Sequence, residues 1–191
     1  KRVQGLRFWS ALYQQDPVPN EGAYFTKDMI VHRTEGMDPS RMNIYQAWDF
    51  AISEKKHNDW NVGVTVGVDY SDTVHVLEVR RFKTSDALEI VNNMIAMYQN
   101  YPKVQILGVE DGQIWRTMKT LFDKRCAETR IYPSVEVQKP ITDKQVRARP
   151  LQGRMRARKV TLPAASPWVD DVIKELLRFP SGVHDDIVDA L

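Results

Sequence analysis

The segment VGVTVGV, residues 62–68, is the part of the sequence that most constrains the fold. Its valines alternate strictly with Gly63, Thr65 and Gly67. A period of two is typical of a β-strand, whose successive side chains point to opposite faces of a sheet, and the clean alternation predicts a half-buried strand. Strand-like segments flank it on both sides, and DYSD forms a tight turn before the second of them. Residues 44–82 therefore predict a three-stranded antiparallel meander.

Helix-like and strand-like segments alternate after the meander. The helix predictions rest on apolar residues spaced three and four apart behind a capping residue, which is Thr84 or Ser85 in the first helix and Ser166 in the third. Helices are predicted at 84–101, 112–128, 166–179 and 184–191, and strands at 103–111 and 131–137. The order predicts an α/β fold with a mixed β-sheet, in which three antiparallel strands are followed by parallel strands and helices cover both faces.

Residues 1–40 have no clear period. The prolines and glycine of QQDPVPNEG indicate extended chain and turns. Aromatic side chains such as Tyr24 and Phe25 are costly to leave exposed to water. We therefore interpret residues 1–40 as a linker or arm that packs on another surface, and residues 41–191 as the folded domain.

Composition restricts the class of protein. Hydrophobic residues make up 42% and charged residues 27% of the 191 positions, as in ordinary globular proteins. No apolar run approaches the ~20 residues that span a bilayer, and the first residues lack the apolar core of a signal peptide. Cys126 is the only cysteine, which excludes an internal disulfide and a Cys/His zinc site. These features predict an intracellular protein outside the membrane.

The basic residues are unevenly distributed, although the net charge is only +2. Between Lys139 and Lys159 there are eight basic residues and one acid, Asp143. A basic strip close to an acidic cluster is what a metal-dependent enzyme acting on nucleic acid requires. The alternative for the strip alone is a solvated surface loop.

Acidic residues occur at three positions where one end of a strand or of a helix would face a shared cleft. Asp49 lies within AWDFA in the first strand, Glu110 follows VQILGV, and a group of acids opens the last helix. Each has a purely structural explanation: a bulge or edge site, a solvated strand end, and a helix cap. Together they indicate a carboxylate cluster, which relieves its repulsion by binding Mg²⁺ or Mn²⁺.

These residues carry a resemblance to a known family. WDFAISEKKHND, GVED and ELLRFPSGVHDDIVDAL resemble the three acidic motifs of the C-terminal nuclease domain of the large terminase subunit of tailed bacteriophages, and DKQVRARPL resembles its basic segment. FWSALYQQDPVPNEGAYF resembles the segment that joins the ATPase domain to the nuclease. The resemblance covers nearly the whole chain and implies a ribonuclease H-like fold. Since the sequence contains no G-x-x-x-x-G-K-[ST] loop, we expect an ATPase domain before Lys1 in the full-length protein.

The resemblance implies a metal-dependent endonuclease that cuts double-stranded DNA during viral genome packaging. By that resemblance Asp49 would bridge two metal ions, Glu110 would hold one of them and Asp186 the other. Asp185, Asp189 and His184 are further candidates. Asp186 and Asp189 share one face of a regular helix, whereas Asp185 points about 100° away from Asp186. Asp185 would then cap the helix, or orient a metal-bound water if the first turn is irregular.

The expected partners follow from the same resemblance. They are double-stranded DNA, the portal protein, the small terminase subunit and the ATPase domain of the same chain, in the host cell cytoplasm at the procapsid portal. The basic residues expected to hold the DNA backbone, without reading sequence, are Lys144, Arg147, Arg149, Arg154 and Arg156.

Two other functions remain open from the sequence. A junction resolvase or a recombinase with the same fold would share the acids but lack the YQQDPVPNEG arm. A non-catalytic DNA-binding or docking domain of a packaging motor would use the acids to bind partner proteins. Metal-dependent cutting distinguishes the docking domain from the enzymes, and substrate preference distinguishes the enzymes from each other.

Overall fold

The computed structural model describes residues 23–33, 37–51, 60–101, 103–139, 143–182 and 186–191. Within these ranges the strands are β1 (Val31–Arg33), β2 (Asn43–Asp49), β3 (Asn61–Val68), β4 (Val74–Phe82), β5 (Val104–Glu110), β6 (Val135–Gln138) and β7 (Val160–Pro163). The helices are α1 (Ala87–Asn100), α2 (Gln113–Thr129), α3 (Lys144–Arg156), α4 (Val169–Arg178) and α5 (Asp186–Ala190). None of these helices is long and apolar enough to cross a membrane.

The strands form a mixed sheet in the order β1-β7-β4-β3-β2-β5-β6. Strands β2, β3 and β4 are antiparallel neighbours, which confirms the predicted meander. Strand β5 joins β2 in parallel, and β6 joins β5 in parallel at the edge of the sheet. Strand β7 runs parallel to both β4 and β1. The predicted α/β fold with antiparallel strands followed by parallel strands is therefore confirmed.

Helices cover both faces of the sheet and form two main cores. Helices α1 and α2 pack on one face, where Met94, Leu107 and Met118 are buried. Helices α3, α4 and α5 contribute to the core on the other face. Residues 23–30 join this second core, in which Phe25 is fully buried, and β1 follows directly. Residues 23–33 of the predicted arm thus belong to this core and to the sheet.

Strand β3 is buried on both faces, so the prediction of a half-buried strand is wrong. It lies near the centre of the sheet, and its glycines face a second layer of side chains rather than solvent. A Cβ atom at Gly63 would lie 2.6 Å from the ring of Trp48, and one at Gly67 would lie 2.5 Å from the sulfur of Met42. The glycines make room for large neighbours, as they often do where another group approaches a strand closely.

The basic strip contains elements that the sequence did not predict. Helix α3 occupies much of it and buries Ala148 and Met155, which contradicts a solvated loop. Asp143, the one acid of the strip, caps this helix by accepting hydrogen bonds from the backbone N–H groups of Gln145 and Val146 at 2.9 and 3.1 Å.

The caps of two predicted helices also differ from expectation. Asp86, rather than Thr84 or Ser85, caps α1 and accepts from the N–H of Leu88 at 2.8 Å. Among the described residues no side chain caps α4, where the backbone carbonyl of Ser166 accepts from the N–H of Val169 instead. A carboxylate accepts hydrogen bonds more strongly than a hydroxyl does, which favours Asp86 at the start of α1.

Candidate metal centre

Asp49 and Glu110 lie at the ends of neighbouring parallel strands. Strands β2 and β5 pair with Trp48 opposite Val109, and each strand ends at the following residue. The two acids are therefore side by side at the carboxyl edge of the sheet, which is where open α/β sheets bind ligands.

Asp49 and Glu110 point to the same face of the sheet. Trp48 and Val109 are buried in the core beneath α1 and α2. Since successive side chains of a strand point in opposite directions, Asp49 and Glu110 face the side that carries α5. Asp49 is half-buried and Glu110 is exposed.

Helix α5 brings two more carboxylates to this edge. It packs on β2 and β3 and buries Ile187, Val188 and Ala190. Asp186 and Asp189 are three residues apart in it and remain half-buried. Both lie near enough to Asp49 to change its protonation.

A cleft of about 250 Å³ opens between these elements. A single water molecule requires roughly 10–15 Å³ of cavity volume, so the cleft has room for ions together with their bound waters. Several of the residues in its wall are small. The lining comprises Ala47, Trp48, Asp49, Gly108, Val109, Glu110, Gln138, Lys139, Arg147, Asp189 and Ala190.

The crowding of carboxylates changes the acidity of Asp49. Burial, followed in order by the charges of Asp189, Asp186 and Glu110, raises the pKa of Asp49 to about 7. The charge of Arg147 acts in the opposite direction. A carboxyl group whose pKa is raised to near neutral by neighbouring carboxylates is typical of a site with excess negative charge, which a bound cation would compensate.

Arg147 lies inside this acidic cluster. Its Nη2 atom is 2.6 Å from Oδ2 of Asp189, and the two side chains are only 26% and 16% exposed. Partial burial lowers the pKa of the guanidinium, but the hydrogen bond and charge of Asp189 and the charges of Glu110 and Asp49 raise it on balance. Arg147 therefore partly neutralises the carboxylates in the metal-free protein.

The pKa of Asp49 predicts how the stability of the metal-free protein depends on pH. Folded Asp49 holds its proton up to about pH 7, whereas in the unfolded chain it releases the proton near 3.8. Folding binds a proton between these values, so the free energy of unfolding should fall as the pH rises from about 4 to about 7. Denaturant unfolding in EDTA at about pH 5 and about pH 8 measures this loss.

The Asp49→Asn variant is the control for this measurement, because it lacks the titrating group and retains the others. We expect the loss of stability between the two pH values to be larger for the unsubstituted chain than for the variant. Equal losses would contradict the crowding of Asp49 by neighbouring carboxylates.

The donor set fits a hard divalent cation. Carboxylate oxygens are the preferred ligands of Mg²⁺ and Mn²⁺, and Asp49, Asp186, Asp189 and Glu110 supply them from three elements. Among the described residues, no three His, Cys, Asp or Glu side chains already form a ligand set around one point. Asp189 is instead turned to Arg147. The candidates Asp185 and His184 lie outside the described residues.

The basic residues predicted to bind DNA are spread along α3. Arg147 lies in the cleft, whereas Lys144, Arg149 and Arg156 are exposed. Arg154 contacts Asp72 at 3.2 Å, in the turn between β3 and β4. That turn is at the opposite end of the sheet from Asp49, because β2 and β3 are antiparallel. Helix α3 thus extends from the cleft toward the far end of the sheet.

Sequence reasoning missed several residues of the cleft. Lys139 and Gln138 reach it because β6 runs parallel to β5 and ends beside it, with Glu110 opposite Gln138. The small residues Ala47 and Gly108 form part of its wall. The position of Lys139 directly after an edge strand is the one signal in the sequence that indicates this neighbourhood.

The fold is that of terminase nuclease domains. The large terminase nuclease of thermophilic phage G20c with bound cobalt is 15% identical with a TM-score of 0.66, covering 90% of this chain and 95% of that one. The human cytomegalovirus terminase nuclease domain is 12% identical with a TM-score of 0.60, covering 78% and 80%. A large terminase from another thermophilic bacteriophage, in complex with ADP, is 12% identical with a TM-score of 0.59. Its alignment covers 99% of this chain and 49% of that one, so the chain spans about half of that terminase.

The family is established by the sequence. Residues 46–191 match the model of the terminase RNase H-like domain. The chain belongs to this family, and the resemblance noted in the acidic motifs is confirmed. No curated protein matches the sequence.

Proposed function

We propose that the chain is a divalent-metal-dependent endonuclease that cuts double-stranded DNA during viral genome packaging. The observation that carries the proposal is the convergence of Asp49, Glu110 and helix α5 on one cleft, with the pKa of Asp49 raised to about 7 by burial and by its acidic neighbours. The cobalt bound to the phage G20c nuclease, which has the same fold, supports a divalent cation at such a site.

Asp49, Glu110 and Asp186 are the residues proposed to hold two Mg²⁺ or Mn²⁺ ions, with Asp189 and Asp185 as additional ligands. When bound, the ions would supply the Lewis acidity that activates water for attack on phosphorus and stabilises the departing 3′ oxygen. The chain contributes geometry and charge. Strands β2 and β5 fix two carboxylates at adjacent strand ends, and α5 sets the others against them.

Two cationic side chains of the cleft have a separate role in this proposal. Lys139 and Arg147 line it beside the acids and attract the phosphate backbone, which the carboxylates alone would repel. Arg147 also holds Asp189 while no other cation is present, through the 2.6 Å contact. The charge balance of the cleft therefore depends on these two side chains as well as on the acids.

The exposed face of α3 is the proposed path for DNA, and it yields a binding prediction. Arg149 and Arg156 are seven residues apart on this face, so both can contact one backbone. Replacing both with Ala should weaken binding equally on all sequences. It should also reduce the slope of log affinity against log salt by about two, since each phosphate contact contributes roughly 0.9.

The double variant Lys103→Ala with Lys124→Ala is the matched control for charge, because both residues are exposed and neither belongs to α3 or lines the cleft. Its salt slope should equal that of the unsubstituted chain. A salt slope in the Arg149/Arg156 double variant equal to that of the unsubstituted chain would show that DNA does not bind along the exposed face of α3. Arg147 is retained in this test because its removal would also break its ion pair with Asp189.

The proposal extends to the partners of the full-length protein. We propose that an ATPase domain of the same chain moves the DNA, as expected for a chain that covers 49% of the ADP-bound phage terminase. The portal protein and the small terminase subunit are the further proposed partners, at the procapsid portal in the host cytoplasm.

Plasmid digestion tests the proposed function. The purified chain is incubated with supercoiled plasmid, linear duplex or a four-way junction in Mg²⁺, Mn²⁺ or EDTA. We expect cutting of both duplexes with either metal and none in EDTA. Binding without cutting would favour a docking domain, and strong preference for the junction would favour a resolvase.

A further inference from the structure

Glu175 is a buried acid in the apolar face of helix α4. It is 6% exposed, and its helical neighbours Val172 and Leu176 belong to the core beneath α4 and α5. A carboxylate is seldom buried in this way unless hydrogen bonds and an opposite charge compensate for the loss of water. The partners of Glu175 therefore indicate why an acid stands at this position.

One of these partners is the backbone of the helix that carries the cleft acids. Oε2 of Glu175 accepts a hydrogen bond from the N–H of Ile187 at 2.9 Å, in a buried setting. Ile187 directly follows Asp186 and lies in the first turn of α5. The N–H groups of a first turn have no acceptor within their own helix. Glu175 thus supplies from α4 the cap that a side chain of α5 itself usually provides.

The second partner ties Glu175 to the sheet. Nη2 of Arg81 is 3.2 Å from Oε1 of Glu175, and the two side chains are 16% and 7% exposed. Arg81 pairs across the sheet with Val62, which pairs in turn with Asp49. Arg81, Val62 and Asp49 therefore lie in one row across three neighbouring strands. Arg81, which pairs with Glu175, is thus two strands away from the cleft acid Asp49.

Arg81 is itself held in place by an aromatic ring. Its guanidinium lies 4.1 Å from the centroid of the Trp60 ring, and the ammonium of Lys83 lies 4.5 Å from the same ring. Stacking on an aromatic face restricts the guanidinium to one orientation. A continuous set of contacts then leads from Trp60 through Arg81 and Glu175 to the first turn of α5.

We infer that Glu175 is a positioning residue for the metal centre, which sets α5 so that Asp186 and Asp189 face Asp49. The inference rests on the proposed function for its metal. Glu175 acts through Ile187 and does not itself line the cleft. Outer partners of this kind orient ligands, and their loss typically reduces metal affinity by about 10- to 100-fold.

Mn²⁺ affinity, measured by electron paramagnetic resonance of the free ion, tests this role without relying on nuclease activity. Three variants are compared with the unsubstituted chain. Glu175→Ala removes the acceptor, Glu175→Gln retains a carbonyl oxygen for Ile187, and Met118→Ala opens a cavity in the core on the opposite face of the sheet. Melting temperatures in EDTA show how much each substitution destabilises the fold.

We expect Glu175→Ala to weaken Mn²⁺ binding by about ten-fold or more, Glu175→Gln to recover most of this loss, and Met118→Ala to bind normally despite a lower melting temperature. Hydrogen exchange of residues 186–191 without metal should accelerate in Glu175→Ala only. Normal affinity in Glu175→Ala, or equal losses in the Ala and Gln variants, would overturn the inference. Absence of Mn²⁺ binding by the unsubstituted chain would instead overturn the proposed function together with it.

Discussion

Asp49→Asn is expected to slow plasmid cleavage by at least about two to three orders of magnitude, the loss typical of removing one charge-stabilising element from an active site. Asp49 lies where β2, β5 and α5 meet, and an amide there carries no charge to hold a cation. The fold should persist, because the substitution removes a half-buried carboxylate that three other acids disfavour in its charged form. In EDTA above about pH 7 the variant should be at least as stable as the unsubstituted chain.

The measurement is the initial rate of supercoiled plasmid loss in Mn²⁺, paired with a melting temperature in EDTA. Asp123→Asn provides a control of equal charge change, since Asp123 is exposed on α2 and pairs with Lys119 away from the cleft. The control should cut at the normal rate. Normal cutting by Asp49→Asn would show that the catalytic assignment is wrong.

Asp186→Asn is expected to abolish cleavage and metal binding, whereas Asp189→Asn should reduce them only in part. The motif resemblance assigns a metal ligand to Asp186. Asp189 is already engaged by Arg147 at 2.6 Å, so a metal ion must compete with a guanidinium for its oxygen atoms. Asp185→Asn, at a position predicted to cap the helix, should mainly lower the melting temperature.

Isothermal titration with Mn²⁺ and single-turnover cleavage measure both consequences for each variant. Loss of binding in Asp189→Asn together with normal binding in Asp186→Asn would reverse the order of the two ligands. The nuclease assignment would stand in that case, since both acids belong to the same helix and lie near Asp49.

The sequence predicted the meander and the strand before Glu110 well because both depend on local patterns. The first strand was predicted to run to Ile52 but ends at Asp49, and the strand predicted from Ile131 begins only at Val135. The alternation in residues 62–68 and the apolar run before Glu110 specify strands wherever they pack. Once β2 and β5 pair as parallel neighbours, the acids at their ends, Asp49 and Glu110, lie side by side. The burial of β3 on both faces could not be seen, because it depends on Trp48 filling the space above Gly63.

Helix α3 was not predicted because its sequence lacks a continuous apolar stripe. Pro150 lies inside it, and proline removes a backbone hydrogen bond and usually ends a helix. Its stability comes from tertiary contacts, in which Ala148 and Met155 are buried and Arg147 pairs with Asp189. A contact such as the Arg147–Asp189 pair joins residues more than forty positions apart and leaves no local pattern.

The same limit applies to the electrostatics of the cleft. In the sequence Arg147 is one of eight basic residues between Lys139 and Lys159, and nothing distinguishes it from Arg149. The fold directs Arg147 toward the acids and leaves Arg149 exposed. Glu175 is likewise an ordinary helical acid until α4 and α5 pack together.

Anomalous diffraction from crystals soaked in Mn²⁺ tests the central claim, that the carboxylates of β2, β5 and α5 form a divalent cation site. We predict two anomalous peaks in the cleft, one between Asp49 and Glu110 and one between Asp49 and Asp186, with Arg147 displaced from Asp189. Saturating Mn²⁺ that leaves the cleft empty, or that binds only at acids elsewhere on the surface, would contradict the account.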